Sequence, residues 1–201
     1  MKMMKWIPLV VLLVAGSLSA GPITYSVILS GPGESPPNAS PGTGSALIII
    51  DSTANTLNIV SETFSGLTSG TTASHIHCCT ALPGTGTAGV ATQVPTFSGF
   101  PLGVTSGSYT MLFDMTQAST WNPAFVTAHG GTPAGAEAAL VAGAAAGDAY
   151  LNIHSTNFGG GEIRGFLVAV PEPGTLSFVF VTLAGMFLAS KLRKGHPSLE
   201  A

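Results

Sequence analysis

The chain is 201 residues long and carries nine acidic and six basic side chains, 7% of the total against roughly a quarter in an ordinary soluble domain. Five of the bases (Lys2, Lys5, Lys191, Arg193, Lys194) sit in the two ends, leaving residues 21–170 with Arg164 alone against seven acids, and a mean hydropathy of +0.47 over the whole chain therefore averages unlike parts. An acidic body with one cation cannot neutralise a row of phosphates, which excludes nucleic acid as a partner, and about 150 residues suffice for one domain with a real core but not for two.

In chain order, residues 1–20 have the form of a secretory signal peptide. Lys2 and Lys5 make a positive start, residues 7–15 an apolar run broken by Pro8, and Gly16, Ser17, Ser19 and Ala20 a small-residue cleavage zone. The competing reading is an uncleaved anchor, for which the apolar run is short. From residue 21 to 170 the pattern changes to short runs of β-formers between clusters of Gly, Pro, Ser and Thr. Strands are predicted over 24–30, 44–51, 56–64, 72–77, 107–115, 149–155 and 162–169. Leu47 and Ile49, with Leu57 and Ile59, supply alternating apolar positions, and Asp51-Ser52-Thr53-Ala54-Asn55 supplies hairpin turn chemistry.

Seven or eight short strands predict a mainly β domain, an antiparallel sandwich or Greek-key barrel. One helix is expected inside it, because Thr132 suits an N-cap, Pro133 the first helical turn and Gly147 the end of the Ala-rich run between them. Two loops rich in Gly and Pro, 31–42 and 79–107, are either covers for a site or tolerated insertions.

The C-terminal end has three parts: Pro171-Glu172-Pro173, an apolar segment over 175–190, and the basic cluster Lys191, Arg193, Lys194. Sixteen helical residues span roughly 24 Å, slightly less than a ~30 Å hydrocarbon core. The basic cluster predicts a transmembrane helix with a short cytoplasmic tail over 196–201 and the body outside the cytoplasm. This arrangement resembles the PEP-CTERM sorting signal of exported bacterial proteins. The resemblance implies the export machinery and a membrane protease of the exosortase type as partners, with processing near Pro171–Pro173. A permanent single-span anchor is the alternative and gives the same topology.

Several motifs of the body line up. They are Leu29-Ser30-Gly31, Glu34-Ser35-Pro36-Pro37, residues 42–50, Phe64-Ser65-Gly66-Leu67, Ala73-Ser74-His75-Ile76-His77, Tyr150-Leu151-Asn152-Ile153-His154-Ser155 and Gly161-Glu162-Ile163-Arg164-Gly165. In this order and spacing they resemble the CHRD domain, first described in the extracellular protein chordin. The resemblance covers nearly all of residues 24–168 and implies an extracytoplasmic β-sandwich, with no established activity for bacterial members. Cys78-Cys79 and His129 stand apart from the shared pattern.

His75 and His77, two apart on a predicted strand, project from one face and can chelate a transition metal. Cys79 joins that face if the strand runs on, and Asn152 and His154 share a face of a later strand. If His154 meets His75 and His77, three imidazoles form a site with open positions, suited to copper or zinc more than to calcium or magnesium. The H-x-H pair is similar to that of copper,zinc superoxide dismutases, whose two-metal site needs more than the four histidines of this body. The bland alternative is a set of core histidines hydrogen-bonded to backbone on both nitrogens.

The neighbouring cysteines, in an oxidising compartment, are compatible with a disulfide, soft metal ligands or separate thiols. Glu162 and Arg164 are expected to form a structural ion pair, with Asp148 or Glu34 as other partners for the arginine. No catalytic residues emerge: there is no G-x-S-x-G elbow, no carboxylate pair in a convincing context, and no lysine after Gly159-Gly160-Gly161 to make a phosphate loop. The expected function is that of an exported module, not an enzyme. Anchored in the inner membrane or released by processing, it acts as a binding or structural unit at the cell surface or in extracellular polymer. The alternative is a copper- or zinc-binding protein, with a redox enzyme as one form of it.

Overall fold

A computed structural model describes residues 21–171, so the predicted signal peptide, the apolar segment 175–190, Glu172, Pro173 and the basic cluster lie outside the described residues. No helix among the described residues is long and apolar enough to cross a membrane. The strands are β1 (Ile23–Ser30), β2 (Thr43–Asp51), β3 (Thr56–Ser65), β4 (Thr71–His77), β5 (Gly107–Asp114), β6 (Tyr150–Ser155), β7 (Ile163–Phe166) and β8 (Val168–Ala169). Two helices, α1 (Pro123–Ala128) and α2 (Pro133–Ala146), lie between β5 and β6.

All strands belong to one antiparallel sheet in the order β4-β6-β7-β1-β2-β3-β5, with β8 also paired to β1. The sheet curls into a half-barrel, whereas the sequence predicts two sheets or a closed barrel. Curling one sheet buries one face as a sandwich does, so the sequence pattern of the two is the same.

Local chemistry explains the elements. In the β2–β3 turn, Asp51 Oδ1 accepts hydrogen bonds from the Thr53 and Ala54 amides at 2.9 Å, and Asn55 takes a left-handed φ of 54°. Thr132 caps α2, its Oγ1 accepting from the Gly135 amide at 3.2 Å, and Gly147 ends the helix at φ 79°. The buried face of α2 is Ala136, Glu137, Leu140, Gly143 and Ala144, the spacing of a stripe against a core. The sequence reading missed α1, although Asn122-Pro123 offers the same cap-and-proline signal as Thr132-Pro133, with Asn122 Oδ1 accepting from the Ala124 amide at 3.0 Å.

The structure also sets which residues of β2 face inward. Ala46, Ile48 and Ile50 enter the core, and Leu47 and Ile49 are only half-buried. A run of five apolar residues has no alternation to read; pairing of Ile48 with Tyr25 and Ala46 with Val27 decides which set faces in. Leu57 and Ile59 of β3 are fully buried, as expected. The core gathers these with Tyr25, Leu29, Phe97, Phe113, Trp121, Leu140 and Ile153 between the curled sheet and the helices.

Candidate metal centre

Strands β4, β6 and β7 are neighbours, and their register sets the site. His75 pairs with Asn152 and His77 with Tyr150 across β4–β6, while Ala73 pairs with His154. On the other side of β6, Asn152 pairs with Arg164 and Tyr150 with Phe166. Side chains alternate along each strand, so Ile76, Leu151, Ile153 and Ile163 enter the hydrophobic core. His75, His77, Tyr150, Asn152, His154 and Arg164 take the opposite face, and each is still at most 8% exposed. Two adjacent antiparallel strands thus bring together residues 77 positions apart in sequence.

Three loops cover this polar face. The loop after β4 aims the Pro95 carbonyl at His75 Nε2 (2.6 Å) and the Ala88 carbonyl at His77 Nδ1 (2.9 Å). The β6–β7 connection aims the Gly159 carbonyl at His154 Nδ1 (3.0 Å). The Pro-rich loop after β1 is pinned by Asn38 Nδ2, which donates to the Glu162 carbonyl at 3.1 Å, and delivers Glu34 beside Arg164. Both long loops of the sequence reading are therefore covers rather than idle insertions.

A carbonyl only accepts, so each ring nitrogen facing one carries the proton and the other presents a lone pair. Those other nitrogens, His75 Nδ1, His77 Nε2 and His154 Nε2, are buried and have no hydrogen-bond donor. The rings converge, with centroids 5.0 Å (His75–His154), 5.7 Å (His75–His77) and 5.8 Å (His77–His154) apart. One nitrogen from each lies within 4.8 Å of the others, which is the one such grouping of His, Cys, Asp or Glu among the described residues. A tetrahedral ion with bonds of 2.0–2.1 Å needs nitrogens about 3.3 Å apart, a modest contraction of this triangle.

Burial pushes His75 and His77 down to about 4, with the neighbouring His154 working in the same direction, and burial lowers His154 as well. All three are neutral at physiological pH, the form that binds a metal. A carbonyl behind each ring fixes its tautomer and orientation, as outer partners do in metal sites. His77 is further held by Tyr150, stacked at 4.8 Å and 7°, whose hydroxyl accepts from the Ala88 amide and donates to the Ala88 carbonyl at 3.2 Å.

The remaining predicted site residues fall elsewhere. Strand β4 stops at His77, and Cys79 forms a disulfide with Cys78 instead of joining the histidines. Both sulfurs lie where a side chain on Gly143 of α2 would have to sit, so the sulfur predicted as a ligand is spent on a bond and packed on the helix. The expected Glu162–Arg164 pair is also replaced. Arg164 Nε lies 3.8 Å from Glu34 Oε2 and donates to the Gly33 carbonyl, NH1 donates to the Gly86 carbonyl, and the guanidinium sits 4.6 Å over the Tyr150 ring.

Glu162 lies one residue before β7, its amide donating to the Ile153 carbonyl at 2.8 Å. Its Oε1 accepts from the Ser40 hydroxyl and the Thr68 amide, both at 2.6 Å. Burial pushes this carboxyl up, and the hydrogen bonds from Ser40 and Thr68 work against it, leaving Glu162 lowered. His129 ends α1 with its Nδ1 on the Phe125 carbonyl at 2.8 Å, apart from the cluster. Pro171 is exposed at the end of the described residues. What the sequence reading could not see is the ring of carbonyls from Ala88, Pro95 and Gly159, since backbone groups leave no residue-type signal.

The fold and the site together define a mainly β domain with a buried three-imidazole cluster on the face opposite its core. Residues 25–167 match the CHRD domain family, and the chain belongs to that family. No curated protein and no solved structure matches the chain.

Proposed function

We propose that this CHRD domain binds one copper or zinc ion through His75, His77 and His154, and that it does so outside the cytoplasm. The observation that carries the reading is a trio of buried histidines with one ring nitrogen each within 4.8 Å of the others, every ring also holding a buried nitrogen that lacks a donor. A buried acceptor without a donor costs roughly 1–3 kcal/mol, and three sharing one point have a common remedy in a cation. Core histidines satisfied on both nitrogens, the bland alternative, do not fit this geometry. Nitrogen-only ligation favours copper or zinc over calcium or magnesium, which take oxygen.

Export is supported by the signal-like residues 1–20 and the absence of bases from the body other than Arg164. The three-part end from Pro171 through Lys194 supports retention at, or processing from, the inner membrane by an exosortase-type protease. In this setting the protein is a metal-holding surface module, with an extracellular polymer or surface protein as its wider context, and no catalytic role is assigned to it.

The test is elemental analysis of the protein purified from the periplasm, before and after incubation with copper or zinc. One equivalent is expected, with affinity lower by on the order of 100-fold or more in His75→Ala, His77→Ala and His154→Ala. Absence of stoichiometric metal after reconstitution overturns the reading.

A further inference from the structure

The three imidazoles do not use up the unpaired acceptors of this face. Asn152 Oδ1 and Glu34 Oε1 are buried and likewise lack a donor. Asn152 stands directly opposite His75 in the β4–β6 register and two residues before His154 on the same face, so its amide borders the cluster. Glu34 reaches the same place from the loop after β1: a Cβ on Gly161 would overlap both the Asn152 amide and Glu34 Oε1. Gly161, with φ of 129°, is the residue that leaves room for the two groups to approach. Arg164 does not satisfy Glu34 Oε1, since its Nε and NH1 donate to Gly33 and Gly86 and its nearer carboxylate oxygen is Oε2.

Asn152 Oδ1 only accepts, and so does the Glu34 carboxylate when ionised, so a ligand between them and the ion has to bring protons. Resting on the metal reading above, we infer that the fourth position of the ion is an open one, filled by an exchangeable water whose two protons are donated to Asn152 Oδ1 and Glu34 Oε1. Both residues are positioning residues for that ligand, not ligands of the metal. The site thereby selects small protic, neutral oxygen or nitrogen donors and rejects small anions, whose lone pairs would face the Glu34 carboxylate. A cleft of about 430 Å³, lined by Ser30, Glu34, Thr85, Arg164 and Phe166 among others, reaches Glu34 from a side that none of the three histidines lines.

The experiment loads the full chain with Cu(II) alone and reads electron paramagnetic and electron–nuclear double resonance spectra in H2O and D2O at pH 8. Azide is then titrated, with copper content and circular dichroism measured in every sample. The wild type is expected to show proton couplings that vanish in D2O and to bind azide weakly. Glu34→Gln and Asn152→Ala are expected to shift those couplings, and Glu34→Gln to bind azide about tenfold more tightly. Asn152→Asp, which retains an acceptor, is expected to return the couplings shifted in Asn152→Ala toward their wild-type values. Copper bound without exchangeable couplings, or azide affinity equal in the wild type and Glu34→Gln, overturns the open-site inference and leaves the metal reading standing. No stoichiometric copper in the wild type overturns both.

Discussion

Single side chains on this protein are placed against their usual chemistry, and Glu62 shows it best. It is fully buried, its Oε1 accepts from the Ser74 hydroxyl at 2.8 Å, and its Oε2 has no partner. Burial pushes its carboxyl up to about 7, against the Ser74 hydrogen bond. A folded-state value raised above 4.5 means that its contribution is fully present below about pH 4.5 and is lost as pH rises through 7. Glu62→Gln removes that loss. Urea denaturation is therefore expected to show the variant gaining on the wild type by on the order of 2 kcal/mol between pH 5 and pH 8.5; a constant difference across that range would refute the assignment. The histidines have the opposite sign. His75 and His77, lowered to about 4, contribute stability above pH 6.5 that is lost as pH falls toward 4.

At the scale of elements, the join between β4 and α2 carries a test of its own. Gly143 is a mid-helix glycine on the buried face of α2, where alanine would ordinarily stabilise by up to about 1 kcal/mol. Here the Cβ would land on the two bonded sulfurs of Cys78 and Cys79, which a disulfide prevents from moving independently. Gly143→Ala is expected to lower stability by about 1–3 kcal/mol, with the denaturation midpoint as readout. A stabilised variant would show that the helix does not seat on the disulfide. The helix signal was fully legible in Thr132, Pro133 and Gly147. Its docking partner was not, because nothing in the spacing of Cys78 and Cys79 chooses among a disulfide, two thiols and two ligands.

At the scale of the whole molecule, two ends proposed to act in sorting flank one curled sheet. If the ends act as proposed, the mass of the mature protein from cells will lack residues 1–20 and most of the chain beyond Pro173; an intact C-terminus through Ala201 argues against processing. If the sheet binds its ion as proposed, saturating copper or zinc at about 100 times the dissociation constant will stabilise it by ~2.7 kcal/mol, visible as a raised Tm reversed by chelator. The sequence by itself determined the strands, since alternating β-formers and turn residues act within a few neighbours, and seven predicted segments lie on the observed ones. It also determined α2, the family motifs and three of the residues that meet. Only the tertiary structure decided that one sheet curls into a half-barrel where two sheets or a closed barrel were expected, that Ala46, Ile48 and Ile50 face inward, and that Arg164 turns to Glu34. Only it removed Cys79 from the histidines and put a carbonyl behind each ring. These outcomes depend on pairings between distant segments and on backbone groups identical in every residue, and residue types in sequence order carry neither.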